Sequence, residues 1–237
     1  MRLYRSHPRV VVTGALGNIG TIICPVLLRK YPVTCIDINQ KSNKSVKRVN
    51  IAREYHKLYT LVKGHDVLIH LAWNVAEDYP NEHSVADNKV MLENIFRAAV
   101  AAGVRRVILA SSVHADTYHL MREGEKTTST IPIPDTPYGA SKVYGERLGN
   151  YYAVHHNLEV VCIRFGGVNT TNEIRYNEDP LYDRVILYHQ DCVSVILKAV
   201  QIKKIPGRFT TFYAVSNNPG RIHSVKNAIG WKPEYPQ

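Results

Sequence analysis

The sequence predicts an α/β fold: a doubly wound parallel sheet with helices on both faces. Three observations predict it. Short apolar runs alternate with helix-patterned stretches as far as residue 165. The first run, Val10-Val11-Val12-Thr13, ends in a glycine-rich turn, Gly14 to Gly20, that opens a helix. The second run, Val33 to Ile36, ends on a carboxylate, Asp37.

In order, the predicted strands are Arg9–Thr13, Val33–Asp37, Lys47–Ile51, Val67–Leu71, Arg106–Ala110 and Glu159–Arg164. Most of them centre on a short apolar run, as expected of strands covered on both faces. The helices between them are Asn18–Arg29, Arg53–Val62, Ser84–Ala102 and Tyr138–His155. Right-handed crossovers place ligands at the carboxyl ends of such strands. After Phe165 the texture changes. Gly166 to Asn172 reads as loop and Asp179-Pro180 as a turn. Asp191 reads as the cap of a helix through Val200, and Thr210–Val215 as a late strand. The expected division is residues 1–165 as the wound sheet with its helices, and residues 166–237 as a small segment that adds a late strand and helix to the same domain.

Composition narrows the class. No apolar run reaches the ~18 to 20 residues of a membrane span. The basic start, Met1 to Pro8, has no signal-peptide core, which predicts a cytoplasmic address. Cys24, Cys35, Cys162 and Cys192 lie in or beside apolar runs and read as buried thiols of a reducing compartment. The eleven histidines show no metal-ligand spacing, so no metal site is expected. The formal charge is +10, partly from Lys41, Lys44, Lys47, Arg48 and Arg105-Arg106. No nucleic-acid motif or interleaved aromatic accompanies it, so the charge reads as solvated surface.

The chemistry begins at the glycine turn. Gly14, Gly17 and Gly20 permit a sharp turn and close approach of a ligand, and the freed N–H groups at the helix start then face a pyrophosphate, with Leu16, Asn18 and Ile19 in the turn that would hold the cofactor. Asp37 is placed to take the two hydroxyls of an adenosine ribose. Further on, Tyr138-Gly139-Ala140-Ser141-Lys142 opens a helix, and positions four apart share a face. A tyrosine with a free pKa of ~10 is a poor base at neutral pH. A neighbouring ammonium stabilises the phenolate. Ser112, just past a strand, can hold the same substrate oxygen. Together Ser112, Tyr138 and Lys142 suit proton transfer coupled to hydride transfer.

Taken in order, these residues resemble the short-chain dehydrogenase/reductase superfamily, in its extended branch of NAD-dependent epimerases, dehydratases and sugar dehydrogenases. The matching elements are Thr13–Gly20, Asp37, His70-Leu71-Ala72, Asn88, Ser111-Ser112, Tyr138…Lys142 and Tyr188-His189-Gln190-Asp191. The resemblance spans essentially the whole chain and is nearest to uronate dehydrogenase-like sugar dehydrogenases. Ser111-Ser112-Val113-His114, Arg175 beyond Ile163-Arg164-Phe165-Gly166, and Gly230-Trp231-Lys232-Pro233 carry that nearer likeness. It implies a Rossmann sheet with a small C-terminal substrate-binding lid, NAD as cofactor, and oxidation of a sugar or uronate at its anomeric carbon to a lactone. It implies Ser112, Tyr138, Lys142 and Asn88 as catalytic residues. Asn50, Ile51, Leu71, Ala72 and Trp73 would join the glycine turn and Asp37 around NAD. Ser112, His114, Gly167 and Arg175 would hold the substrate. Three positions depart from the pattern: Asn50-Ile51 stands where an acid-apolar pair is common, Val113 where asparagine is usual, and Gly167 where serine is usual.

The same triad serves a nucleotide-sugar epimerase or dehydratase, and the same fold serves an NAD-responsive binding protein without catalysis. Those are the alternatives. Apolar residues beyond one stripe on two helices predict a homodimer: Val90, Ile95, Ala98, Ala99 and Ala102 on one, Val143, Leu148, Tyr151 and Tyr152 on the other. The expected partner is otherwise a small sugar or sugar acid, with no nucleic acid and no membrane.

Overall fold

A computed structural model describes residues 7–40, 45–74, 82–116, 125–173 and 182–236, with the side chains of 82–86 left undescribed. Arg175, Lys41, Lys44 and the turn at Asp179-Pro180 lie outside the described residues. Seven strands form one parallel sheet: β1 Val10–Thr13, β2 Val33–Asp37, β3 Val46–Arg48, β4 Val67–His70, β5 Arg106–Ser112, β6 Glu159–Phe165 and β7 Phe209–Ala214. Their order is β3-β2-β1-β4-β5-β6-β7, so β2 and β4 flank β1. Chain direction across the sheet reverses there, and the crevice at the carboxyl ends of β1 and β4 is where a ligand sits in such sheets.

The helices are α1 Asn18–Lys30, α2 Tyr55–Val62, α3 Glu82–Ala101, α4 Pro137–His155, α5 Tyr182–Val185 and α6 His189–Gln201. Strand residues alternate between two cores, as the period of two requires. Val10, Val12, Val67, Ile69, Ile108, Val161 and Ile163 face α1 and α6. Val11, Leu68, Val107, Leu109, Val160 and Cys162 face α2, α3 and α4. Burial of all four cysteines fits that layering, and burial pushes the Cys162 thiol well up and that of Cys192 to about 12. Among the described residues no helix is long and apolar enough to cross a membrane.

Three expectations are corrected. Lys47–Ile51 is not one strand: β3 stops at Arg48, and Asn50-Ile51 lie in the turn beyond it. Asp191 is not a helix cap. Tyr188 holds the cap position without a side-chain bond, and Asp191 is buried in the first turn of α6. Its carboxylate accepts from Ser216 Oγ at 2.7 Å and from the N–H groups of Glu234 and Tyr235 at 2.8 and 3.2 Å, so it ties down the C-terminal tail. The third correction concerns α3. Ile95, Ala98, Ala99 and Ala102 are buried in the chain's own core, since α4 packs across α3 and Phe96 stacks on Tyr152 at 5.0 Å. Among the described residues, the large apolar side chains exposed on α3 and α4 are Val90, Tyr151 and Val154.

Candidate active site

Three glycines shape the first turn, each under a different constraint. Gly14 has φ +74, and a Cβ there would lie 2.7 Å from Ala72 Cα. Gly20 would overlap the Gly14 carbonyl. Both are demanded by the protein's own packing. Gly17 is exposed, and its Cβ would meet nothing nearer than 3.4 Å. Gly17 is also the N-cap of α1, with no side-chain cap and no acid in the first turn. The helix start thus keeps its N–H groups and partial positive charge for an anion.

Asp37, at the end of β2, is 7% exposed. One carboxylate oxygen accepts from Leu16 N at 2.9 Å and the other from Asn39 N at 2.9 Å. Each oxygen keeps a further acceptor position for a ribose hydroxyl. A cleft of about 390 Å³ runs from here, and Gly14, Leu16, Gly17, Asp37, Asn50 and Trp73 are in its lining, with Ile51, Leu71 and Ala72 beside them. Asn18 and Ile19 begin α1 at its edge. The Asn50 side chain accepts from Ala52 N at 3.1 Å, which holds the turn that forms one wall.

Beyond Trp73, which lines the cleft, stand residues of β5 and α4. Ser112 closes β5, and its Oγ accepts from His114 N at 3.2 Å, which caps a 3-10 turn, Val113–Ala115. α4 is started by Thr136, whose Oγ1 accepts from Gly139 N at 3.0 Å, with Pro137 at the first position. Tyr138 follows. Its ring meets the His114 ring edge-on at 5.9 Å and the Trp73 ring at 6.2 Å. Lys142, one turn on, is 5% exposed. Its Nζ donates to the Ala110 carbonyl at 3.2 Å and lies 3.5 Å from the Trp73 ring centroid and 5.1 Å from that of Tyr138. Trp73 packs on the core beside α3 and also walls the cluster formed with Tyr138 and Lys142. Ser112, His114, Tyr138, Lys142 and Trp73 form one connected cluster.

Beneath it His70 is buried at the end of β4, bonded through Nδ1 to Thr13 Oγ1 at 2.7 Å. Burial, with the Lys142 charge adding to it, pushes its pKa down to about 3, so the imidazole is neutral. α4 is held in rotation by a buried network. Glu146 accepts from Arg164 through both oxygens at 2.8 Å and from Ser111 Oγ at 2.6 Å. Arg164 in turn donates to Tyr213 OH at 2.9 Å.

Other expected residues stand elsewhere. Asn88 lies within α3, 2% exposed, and its amide bonds both backbone groups of Asn74 at 3.0 and 3.2 Å. It braces the chain just after Trp73. Gly167 pairs with Ile186, and the Tyr182 ring occupies the space a side chain would need. Val113 is 3% exposed and packs with Val185, Tyr213 and Val215. One residue was missed by sequence reading. Asp135, with a side chain 3% exposed, pairs with His114 Nδ1 at 3.1 Å. It sits between prolines in a stretch that reads as a turn, three residues before Tyr138.

Comparison with known proteins adds the following. The family described as "NAD dependent epimerase/dehydratase family" matches residues 10–189. L-arabinose 1-dehydrogenase (NAD(P)(+)) of Haloferax volcanii is 31% identical over 245 residues, 95% of this chain and 96% of that one. A uronate dehydrogenase of Agrobacterium fabrum is 28% identical over 95% of this chain and 84% of its own. Among solved structures, a glucuronic acid dehydrogenase from Chromohalobacter salexigens gives a TM-score of 0.81 at 26% identity, over 96% of this chain and 84% of that one.

Proposed function

The chain belongs to the NAD dependent epimerase/dehydratase family, and from that premise we propose that it is an NAD-dependent sugar dehydrogenase that oxidises the anomeric hydroxyl of a free sugar or sugar acid to a lactone. The observation that carries this reading is the cluster of Ser112, His114, Tyr138 and Lys142, joined through Trp73 to a cleft that Asp37 also lines. The cleft fits the cofactor on its own features: room beside Gly17, an uncapped helix start, and a carboxylate fixed by two backbone amides. Gly14 to Gly20 would hold the pyrophosphate and Asp37 the adenosine ribose, while Asn50 and Ile51 would flank the adenine. Leu71, Ala72 and Trp73 would line the nicotinamide end. Bound NAD supplies the hydride acceptor.

The chain's own residues do the rest. Ser112 Oγ, aligned by the bond it accepts from His114 N, holds the substrate hydroxyl. Tyr138 takes the proton from that hydroxyl as the C–H bond breaks, and Lys142 keeps a positive charge beside the phenol. His114, fixed by Asp135, holds a second sugar hydroxyl. Arg175 would take the carboxylate of a sugar acid, since a planar fork binds carboxylates bidentately. Residues 166–237 would supply this substrate side of the site. Asp37 disfavours the 2′-phosphate of NADP. The buried free thiols fit a reducing, cytoplasmic setting. Two copies would pair through α3 and α4, where Val90, Tyr151 and Val154 are exposed.

The test is a screen of pentoses, hexoses and hexuronates with NAD, following reduced cofactor and identifying the lactone. Isomerised nucleotide sugar without net reduced cofactor would replace this reading with an epimerase.

A further inference from the structure

The opposite edge of the sheet carries a second concavity. It lies at the amino ends of β5, β6 and β7, away from Ser112 and Tyr138, and measures about 590 Å³. The loops that follow α3, α4 and α6 form its walls. Val104 and Leu158 give it an apolar floor. Arg105, Lys203, Lys204 and Arg208 form the rim, and the last three are exposed.

The carboxylate in this lining is committed within the protein. Glu159 accepts from Arg105 Nη1 at 2.9 Å, from Arg106 Nε and Nη2 at 3.0 and 2.5 Å, and from Ile205 N at 2.9 Å. Arg106 is fully buried and donates Nη1 to the carbonyls of Ala199 and Val200. Three helices end at this edge, at Ala101, His155 and Gln201. Each C-terminus carries about half a negative charge. Those ends and Glu159 offset about half of the charge on Arg105, Arg106, Lys203, Lys204 and Arg208, leaving a surplus of roughly two to three positive charges. Helix-end compensation alone therefore does not account for the cluster. A concave wall concentrates the field of that surplus. Arg208 is held on the rim at φ 64, directly after Gly207 at φ 61, a backbone that non-glycine residues rarely adopt.

We propose that this cleft binds a diphosphate group, free or carried by a nucleotide, at a site separate from the cofactor cleft. The charge of a diphosphate opposes and matches the surplus. Arginine and lysine donors at the rim make charge-assisted bonds to its oxygens.

The test is calorimetric titration of the whole protein with pyrophosphate, and separately with ADP, each under saturating NAD so that the cofactor cleft is filled. One further equivalent binds. Combining Lys203→Ala, Lys204→Ala and Arg208→Ala weakens it by about 100-fold, with NAD affinity and Tm unchanged, because all three side chains are exposed. Tighter binding of ADP identifies the nucleotide as the ligand. Equal binding identifies the free diphosphate. Absence of binding at millimolar ligand overturns the proposal, and so does undiminished affinity in the triple variant.

Discussion

Replacing Gly139 with alanine tests how Tyr138 is aimed. The first turn of α4 is pressed onto the 3-10 turn after Ser112. A Cβ on Gly139 would overlap the His114 carbonyl oxygen and lie 2.7 Å from the carbonyl carbon, about 0.7 Å inside the 3.4 Å at which ordinary contact begins. The obstacle is backbone, in a turn closed by the bond from Asp116 N to Val113 O at 3.1 Å and by the Ser112 cap. It cannot yield as a side chain would, so α4 must back away by on the order of 1 Å. Tyr138 is the adjacent residue, and a displacement of that size in a positioned group costs roughly 100-fold in rate. Alanine otherwise favours a helix over glycine by about 0.5 to 1 kcal/mol, so the fold persists. The assay is steady-state kinetics with sugar and NAD, beside NAD affinity and thermal melting. Gly145→Ala is the control on the same helix. Its Cβ would meet only side-chain atoms, of Leu109 and Leu92 at 3.3 to 3.4 Å, which can shift. Expected are a ~100-fold loss of kcat/KM in Gly139→Ala with near-normal NAD binding, and a far smaller loss in the control. Equal activities in the two variants would refute the reasoning.

Tyr138→Phe should lower kcat by ~10²- to 10⁴-fold while leaving NAD affinity near normal, because only the proton acceptor is lost; retained turnover would place the chemistry elsewhere. Asp37→Ala should weaken NAD by roughly 10- to 100-fold, given about 1.5 to 3 kcal/mol for a charge-assisted bond, and relax the preference over NADP. Tighter binding of NADP than NAD by the unaltered protein would contradict the role given to Asp37. Arg175→Ala should raise KM for a hexuronate by ~10- to 100-fold and leave a neutral aldose unaffected; equal effects on both substrates would remove the carboxylate anchor. Stability should fall with acid. Burial lowers His70 to about 3 and His223 to about 4 from an ordinary 6.5, so the unfolded chain binds more protons below that value. Stability is then full above pH 6.5 and declines as pH falls toward 4, at up to about 2.7 kcal/mol per pH unit for two protons. Urea midpoints that do not change between pH 7 and 5 would count against this.

What the sequence makes legible is whatever depends on near neighbours. Val10 to Thr13 and Val67 to His70 read as strands because both faces are covered, so every residue in them is apolar or paired. Tyr138 and Lys142 share a face because one turn separates them. Asp191 shows where such reading stops. Beside a helix start an aspartate resembles a cap, yet its partners are Ser216, Glu234 and Tyr235, which only the folded tail brings near. Asp135 is the same case at the site itself, since the stretch between its prolines gives no sign of His114. The apolar residues of α3 show a third limit. Periodicity reports how much of a helix is apolar, and not whether α4 or a second chain covers it.

The two departures in the substrate region take a different meaning once packing is known. From sequence, Val113 and Gly167 stand where the family pattern has polar side chains. Val113 instead belongs to a small core with Val185, Tyr213 and Val215, so its side chain serves packing. At Gly167 the absent side chain is replaced by the Tyr182 ring, whose hydroxyl accepts from Asn169 Nδ2 at 3.1 Å. A serine there would collide with that ring. Gly167 and Tyr182 therefore share one space, and the tyrosine places a hydroxyl beside the strand end. Neither departure then counts against a carboxylate, and in the proposed function the choice between a neutral and an acidic sugar is assigned to Arg175. Gly167→Ser made alone should impair folding or activity, and pairing it with Tyr182→Ala should restore what the serine removes. That double-mutant coupling is the signature of a shared space.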